Sequence, residues 1–227
     1  DSLKADNRIA IKYIGFDNGA VSVSSTGDVI INGAIDNRSG NTTVASSGSI
    51  LQSKDIAVVG GNNVNLSAGT GIGSAAAAVQ VNTGDAGRLD ATSASGDIRV
   101  RETLGDLRIG TVGGVNVANV AISADRNLVN ADAASFVQGR RIEMESVNGG
   151  IGDTAGDPLT VRTAYSADPT LWPALGLKAT ARDGINIRNE ADTASPAAYS
   201  GNLLLISAES KAGDVRIETA GTVLDNN

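Results

Sequence analysis

Along most of the chain the apolar residues come in short alternations, aliphatic then polar then aliphatic. Val21-Ser22-Val23, Val64-Asn65-Leu66, Val79-Gln80-Val81 and Ile98-Arg99-Val100 show the pattern in the first half. Leu107-Arg108-Ile109, Ile142-Glu143-Met144, Leu159-Thr160-Val161, Ile185-Asn186-Ile187 and Val215-Arg216-Ile217 carry it towards the far end. Successive side chains of a strand point to opposite faces, so each triplet puts two aliphatic groups on one face and a polar one on the other. The pattern predicts very short strands, each with one buried face. Gly-Asp pairs punctuate them at 27–28, 96–97, 105–106 and 213–214, with the order reversed at Asp183-Gly184. Gly accepts a positive φ and Asp can bond its own backbone, so these pairs read as sharp corners. Ala75 to Ala78 is the only alanine run, and it leads into a strand pattern. The chain reads as all-β.

Equivalent aliphatic positions recur at nearly constant spacing: Val23, Val44 and Leu66 in one series, Ile122 and Met144 in another. A repeat of about 20 residues that holds two or three short strands is the signature of a β-solenoid, here a parallel β-helix. Turns would stack by parallel hydrogen bonding at about 4.8 Å each, so roughly eleven turns make a rod about 50 Å long. Strand patterns begin at Ile9-Ala10-Ile11 and run to Thr222-Val223-Leu224 without an obvious polar cap. Such edges invite pairing with adjacent rungs of a longer parent or with copies of the chain itself.

Composition gives this architecture a physical reason. Among 227 residues there are 28 Gly and 4 Pro, and aromatic residues make up only 3% although the apolar fraction is 41%. The core must therefore be built from Val, Ile, Leu and Ala, which suit a narrow lumen. The same aliphatic content argues against disorder. The absence of Cys removes disulfides and thiolate metal sites, and the absence of His removes the usual general base. Net charge is −7 with the basic residues scattered, so nothing favours nucleic acid. No apolar run approaches the ~20 residues of a membrane-spanning helix. The sequence starts at Asp1 and reads as a piece of something longer.

Ser93-Ala94-Ser95-Gly96-Asp97-Ile98-Arg99-Val100 and the stretch from Ser207 to Ile217 resemble the degenerate repeats of filamentous-haemagglutinin-type (two-partner secretion) exoproteins. So do Gly71-Ile72-Gly73 and Gly149-Gly150-Ile151-Gly152, the latter followed by Pro158-Leu159-Thr160-Val161. The resemblance runs from about Val21 to Val223. It implies a right-handed parallel β-helix in a very large bacterial protein, secreted or anchored at the outer surface and exported through an outer-membrane partner. The family's amino-terminal secretion domain is not visible, so the chain would be a segment of the shaft.

Candidate chemistry is sparse. Asp153 and Asp157 lie in a Gly-rich turn and could hold Ca²⁺ through hard oxygen ligands. However, Gly149-Gly150-Ile151-Gly152-Asp153 is one residue short of the calcium-binding nonapeptide pattern, and a plain turn role is the alternative. Arg140 and Arg141, with Arg99, Arg101 and Arg108, could form a stripe for anionic glycans, or be solvated residues paired with Asp and Glu. Two segments break the rhythm and read as protruding loops: 164–176, with Tyr165, Leu171 and the only Trp, Trp172; and 191–200, with Pro196. Loops on rigid scaffolds often carry function, which makes the Trp172 tip a candidate contact for a surface protein, a glycan or a neighbouring filament. The alternative is that Leu171 and Trp172 fold back over an apolar side.

Three function classes remain at this point. The first is a non-catalytic shaft or adhesive segment of a fibrous surface protein. The second is a self-assembling filament subunit, and the third a polysaccharide-degrading β-helix enzyme, which would need clustered carboxylates or a basic residue near a groove.

Overall fold

The short alternations form strands, and successive strands go to two different sheets. In the computed structural model, which describes residues 8–84, 86–153 and 156–226, the chain winds as a β-solenoid of about 10 turns, each about 22 residues apart. One turn contributes a strand, or a split strand, to a 12-stranded sheet, then a corner, then a strand to a 10-stranded sheet, then a second corner. Val29–Asn37 and Asn41–Ser46 make up one such turn, and Gly96–Glu102 and Leu107–Gly113 another. Neighbouring turns pair in parallel, as Val29 with Ile50 and Val44 with Leu66. The turns are slightly longer and fewer than the sequence spacing suggests, because several corners carry extra residues. In addition, 53–58 and 73–78 leave the first sheet in mid-strand as loops.

Parallel stacking aligns like residues into ladders. In the first sheet Ile9, Val29, Ile50, Ile72, Ile98, Val120, Ile142, Leu177 and Leu205 stand in unbroken register. In the second, Val23, Val44, Leu66, Ala91, Val112, Val137 and Val161 do the same. The inner members of both ladders are fully buried and belong to one continuous core. Each buried aliphatic side chain contributes about 1.5–3 kcal/mol relative to an exposed one. The lumen is narrow enough that these side chains fill it without aromatic rings.

The corners work differently from the sequence expectation. The Asp of a Gly-Asp pair does not mainly bond its own backbone; it reaches to the next turn. Asp28 Oδ1 accepts the Ser49 backbone N–H at 2.8 Å. Asp97 Oδ1 accepts both N–H groups of Asn119, backbone at 3.1 Å and side chain at 2.9 Å, and Asp106 Oδ1 repeats this with Asn127 at the same distances. An N–H at a strand's start, at a corner or, as for Asn119, at a register shift loses its ladder acceptor and must find another. The carboxylate one turn away supplies it. Gly96 and Gly105 hold φ of 79° and 97°, the left-handed geometry that frees the following Asp to point along the axis.

Candidate functional site

Three features stand out on the body, and the first is where the two long excursions meet. Segments 164–176 and 191–200 pack on each other and on the flank of the solenoid. The backbone N–H of Tyr165 donates to the Ala198 carbonyl at 3.0 Å. Asp168 caps the 3-10 helix Pro169–Ala174 by accepting the Thr170 N–H at 2.9 Å. A small second core gathers there: Ala164, Leu175, Tyr199 and Leu204 are buried, with Tyr165, Trp172 and Leu224 packed against them. Trp172 folds back, its indole N–H donating to the Ser166 carbonyl at 2.9 Å, whereas Leu171 remains exposed. The anchor of the cluster is Tyr199, which is fully buried and donates its hydroxyl to the Val115 carbonyl at 3.0 Å. Burial pushes its phenol pKa up, against the opposing effects of Gln138 and Arg140. The Gln138 side-chain amide also donates to Asp192 Oδ2 at 3.2 Å, tying the second excursion to the second sheet. Sequence reasoning singled out Trp172 and passed over Tyr199.

The second feature is a recess of ≈ 750 Å³ on the outside of the second sheet, lined by Arg108, Asp132, Asp153, Asp157 and Asp183 among others. Asp153 and Asp157 are exposed and close a turn, the Asp153 N–H donating to the Asp157 carbonyl at 2.8 Å. Asp157 Oδ1 accepts the Asn130 side-chain amide at 3.1 Å, and the Asp153 carbonyl accepts that of Asn186 at 2.7 Å. Among the described residues no group of three or more acidic, His or Cys side chains is placed to hold a metal ion. The geometry is that of a braced corner.

The third feature is a shallow groove of ≈ 370 Å³ along the outer face of the first sheet. Its wall is the loop from Ser74 to Ala78, and its floor is Ala121 and Ser123. Charged side chains flank that floor. Arg99, Ala121, Glu143 and Lys178 align in one column, and Arg101, Ser123, Glu145 and Thr180 in the next. Glu143 and Glu145 place two carboxylates side by side on this face, and Glu143 is bound to Arg141 at 2.8 Å.

The proposed arginine stripe does not form. Arg99, Arg101 and Arg141 lie on the first sheet and Arg108 on the second. Arg99 pairs with Asp97 at 3.2 Å, and Arg108 donates to the Ala131 carbonyl at 3.0 Å. Arg141 binds Glu143 and also donates to the Pro173 carbonyl at 3.1 Å, so it props the 3-10 helix. Arg140 is exposed at the corner beside the Tyr199 cluster. Arg99 and Arg101 share the outer face of the first sheet, but the corner puts Arg108 on the second sheet and leaves Arg140 at a turn, so the five do not line up as one stripe.

One carboxyl is tuned to neutrality but reaches no groove. Glu102 is fully buried, and desolvation raises its pKa to about 7 against hydrogen bonds from Thr83, Leu104 and Thr103. A comparison with family models, curated proteins and solved structures finds no match for the chain.

Proposed function

We propose that this chain is a rigid shaft or adhesive segment of a large fibrous protein displayed or secreted by a bacterium, without catalytic activity. The observation that carries the reading is the first-sheet ladder from Ile9 to Leu205, which holds register through nine successive turns. A stack with one continuous core resists bending, because every rung is clamped by the rungs on either side. The resemblance of its repeats to filamentous-haemagglutinin-type exoproteins supports the extracellular setting. An open, charged outer face is suited to contacts with a surface protein or a glycan.

A filament subunit is the second reading. Val215 and Val223 in the last two turns, and Tyr13 in the first, are large apolar side chains left exposed. In a longer parent, adjacent rungs cover such positions; in a self-assembling subunit, other copies do. A dilution series by small-angle scattering separates the two readings. A shaft segment gives a rod about 50 Å long, at about 4.8 Å per turn, that does not change on dilution. Axial polymers that shorten on dilution favour the filament. Release of oligosaccharides from acidic polysaccharides by the purified chain would overturn the non-catalytic reading.

A further inference from the structure

The groove on the first sheet carries a charge pattern with a symmetry of its own. Its centre is the rung of Ala121 and Ser123. One rung towards the N-terminus lie Arg99 and Arg101, and one rung towards the C-terminus lie Glu143 and Glu145. Rungs are about 4.8 Å apart, so the basic and acidic pairs sit equidistant from the small central residues, at about 10 Å from each other. Arg101 and Glu145 are exposed and make no hydrogen bond or ion pair with any described residue. Arg99 uses one terminal nitrogen on Asp97, while its Nε has no partner.

We infer that this face is a lateral, two-fold symmetric docking surface for a second copy of the same chain, laid antiparallel along the first. A two-fold axis lying midway between the two facing sheets, parallel to the strands and over the central rung, keeps each column opposite itself and inverts the rung order. Arg99 then faces the partner's Glu143, Arg101 faces the partner's Glu145, and Ala121 and Ser123 each face their own counterpart. Each of the four charges meets its opposite, and the contact is self-complementary as a two-fold interface requires. Small side chains on the axis let the two sheets approach to ordinary face-to-face spacing of about 10 Å. The loop from Ser74 to Ala78 stands at one end of the groove and lies over the Lys178–Thr180 rung of the other copy. This lateral contact leaves both solenoid ends free, so it is independent of whether the chain is a shaft or a filament subunit.

Two charge reversals test it, R101E and E145R, with mass measured by light scattering or sedimentation of the full chain. Both sites are exposed, and neither side chain has a hydrogen bond or ion pair with a described residue to lose. The unaltered chain is expected to dimerise at low salt and to dissociate as salt approaches about 1 M, where the screening length falls to about 3 Å. R101E alone sets like charges opposite each other twice per dimer and is monomeric, and E145R alone does the same. An equimolar mixture restores the dimer, because the only fully complementary pairing is one chain of each kind. Restoration also shows that both variants are folded. A wild-type chain that stays monomeric at low salt overturns the inference. So does association that survives both reversals, or that the mixture fails to restore.

Discussion

Thr83 donates twice to Glu102 one turn further on: its backbone N–H reaches Oε2 at 3.0 Å and its hydroxyl reaches the same oxygen at 3.2 Å. The other carboxylate oxygen accepts the N–H groups of Thr103 and Leu104 at 3.1 and 3.2 Å. Four donors favour the charged form, yet complete burial outweighs them and raises the pKa from 4.5 to about 7. No charged side chain is among the causes of that shift.

The sign of the resulting pH dependence is opposite to ordinary acid denaturation. Between about 4.5 and 7 the folded chain holds a proton that the unfolded chain has released, so stability falls as pH rises through that window. At about 1.4 kcal/mol per unit the whole effect is roughly 3 kcal/mol. Asp132, Asp168 and Glu218 are held below their ordinary values, by hydrogen bonds from Ala134, Thr170 and Arg188 respectively. Asp132 and Asp168 act mainly below this window, and Glu218, whose ordinary value is 4.5, adds only a small rising contribution at its lower edge. Urea denaturation from pH 4.5 to 8 should show the decline, and E102Q should flatten it whatever its effect on absolute stability. A wild-type profile that is level or rising would sink the assignment.

The axial carboxylates make a second prediction. Asp106 Oδ1 serves both N–H groups of Asn127, each of which loses its acceptor in D106A. Unsatisfied, partly buried donors cost about 1–3 kcal/mol, so D106A should destabilise by that order. D106N keeps a carbonyl oxygen in place and should lose less. Equal losses in the two variants would mean that the carboxylate's charge, rather than its role as acceptor, matters at this corner.

Much of this corner chemistry lay beyond the sequence for one reason: it is written between turns. The triplet Ile98-Arg99-Val100 correctly placed two residues in the core and one outside, because strand parity is a local property. Glu102 has the same parity as Ile98 and Val100, so its inward position was readable in principle. Its neighbour Val81 in the ladder is 21 positions away, however, and that register needs the true turn length. The drift introduced by the loops at 53–58 and 73–78 hides that length. For the same reason Arg101 and Glu145 could not be seen to share a column. Tyr199 was missed because its hydroxyl partner, Val115, is 84 residues away across the corner.

The Tyr199 cluster predicts how the two excursions are held. Y199F removes the hydroxyl with its bond to the Val115 carbonyl and its interaction with Gln138 and should cost about 1 kcal/mol. Y199A empties a fully buried ring site and should cost about 3–5 kcal/mol. Amide exchange should rise first in 164–176 and 191–200, with the ladders of the early turns unchanged. If Y199A leaves exchange in both excursions at the wild-type level, Tyr199 does not anchor them.

A change inside the ladder should behave differently, because each rung has only two neighbours. Ile98 is fully buried between Ile72 and Val120. I98V trims one methylene and should cost about 0.5–1.5 kcal/mol, whereas I98A should cost about 2–5 kcal/mol. In a quasi-one-dimensional stack that loss is felt most by the adjacent turns. Exchange should therefore accelerate in the strands holding Ile72 and Val120 before it does in those of Val29 or Leu177. Uniform acceleration along the whole rod in I98A would show instead that the solenoid opens as a single unit, with the coupling between rungs strong enough to override a local defect.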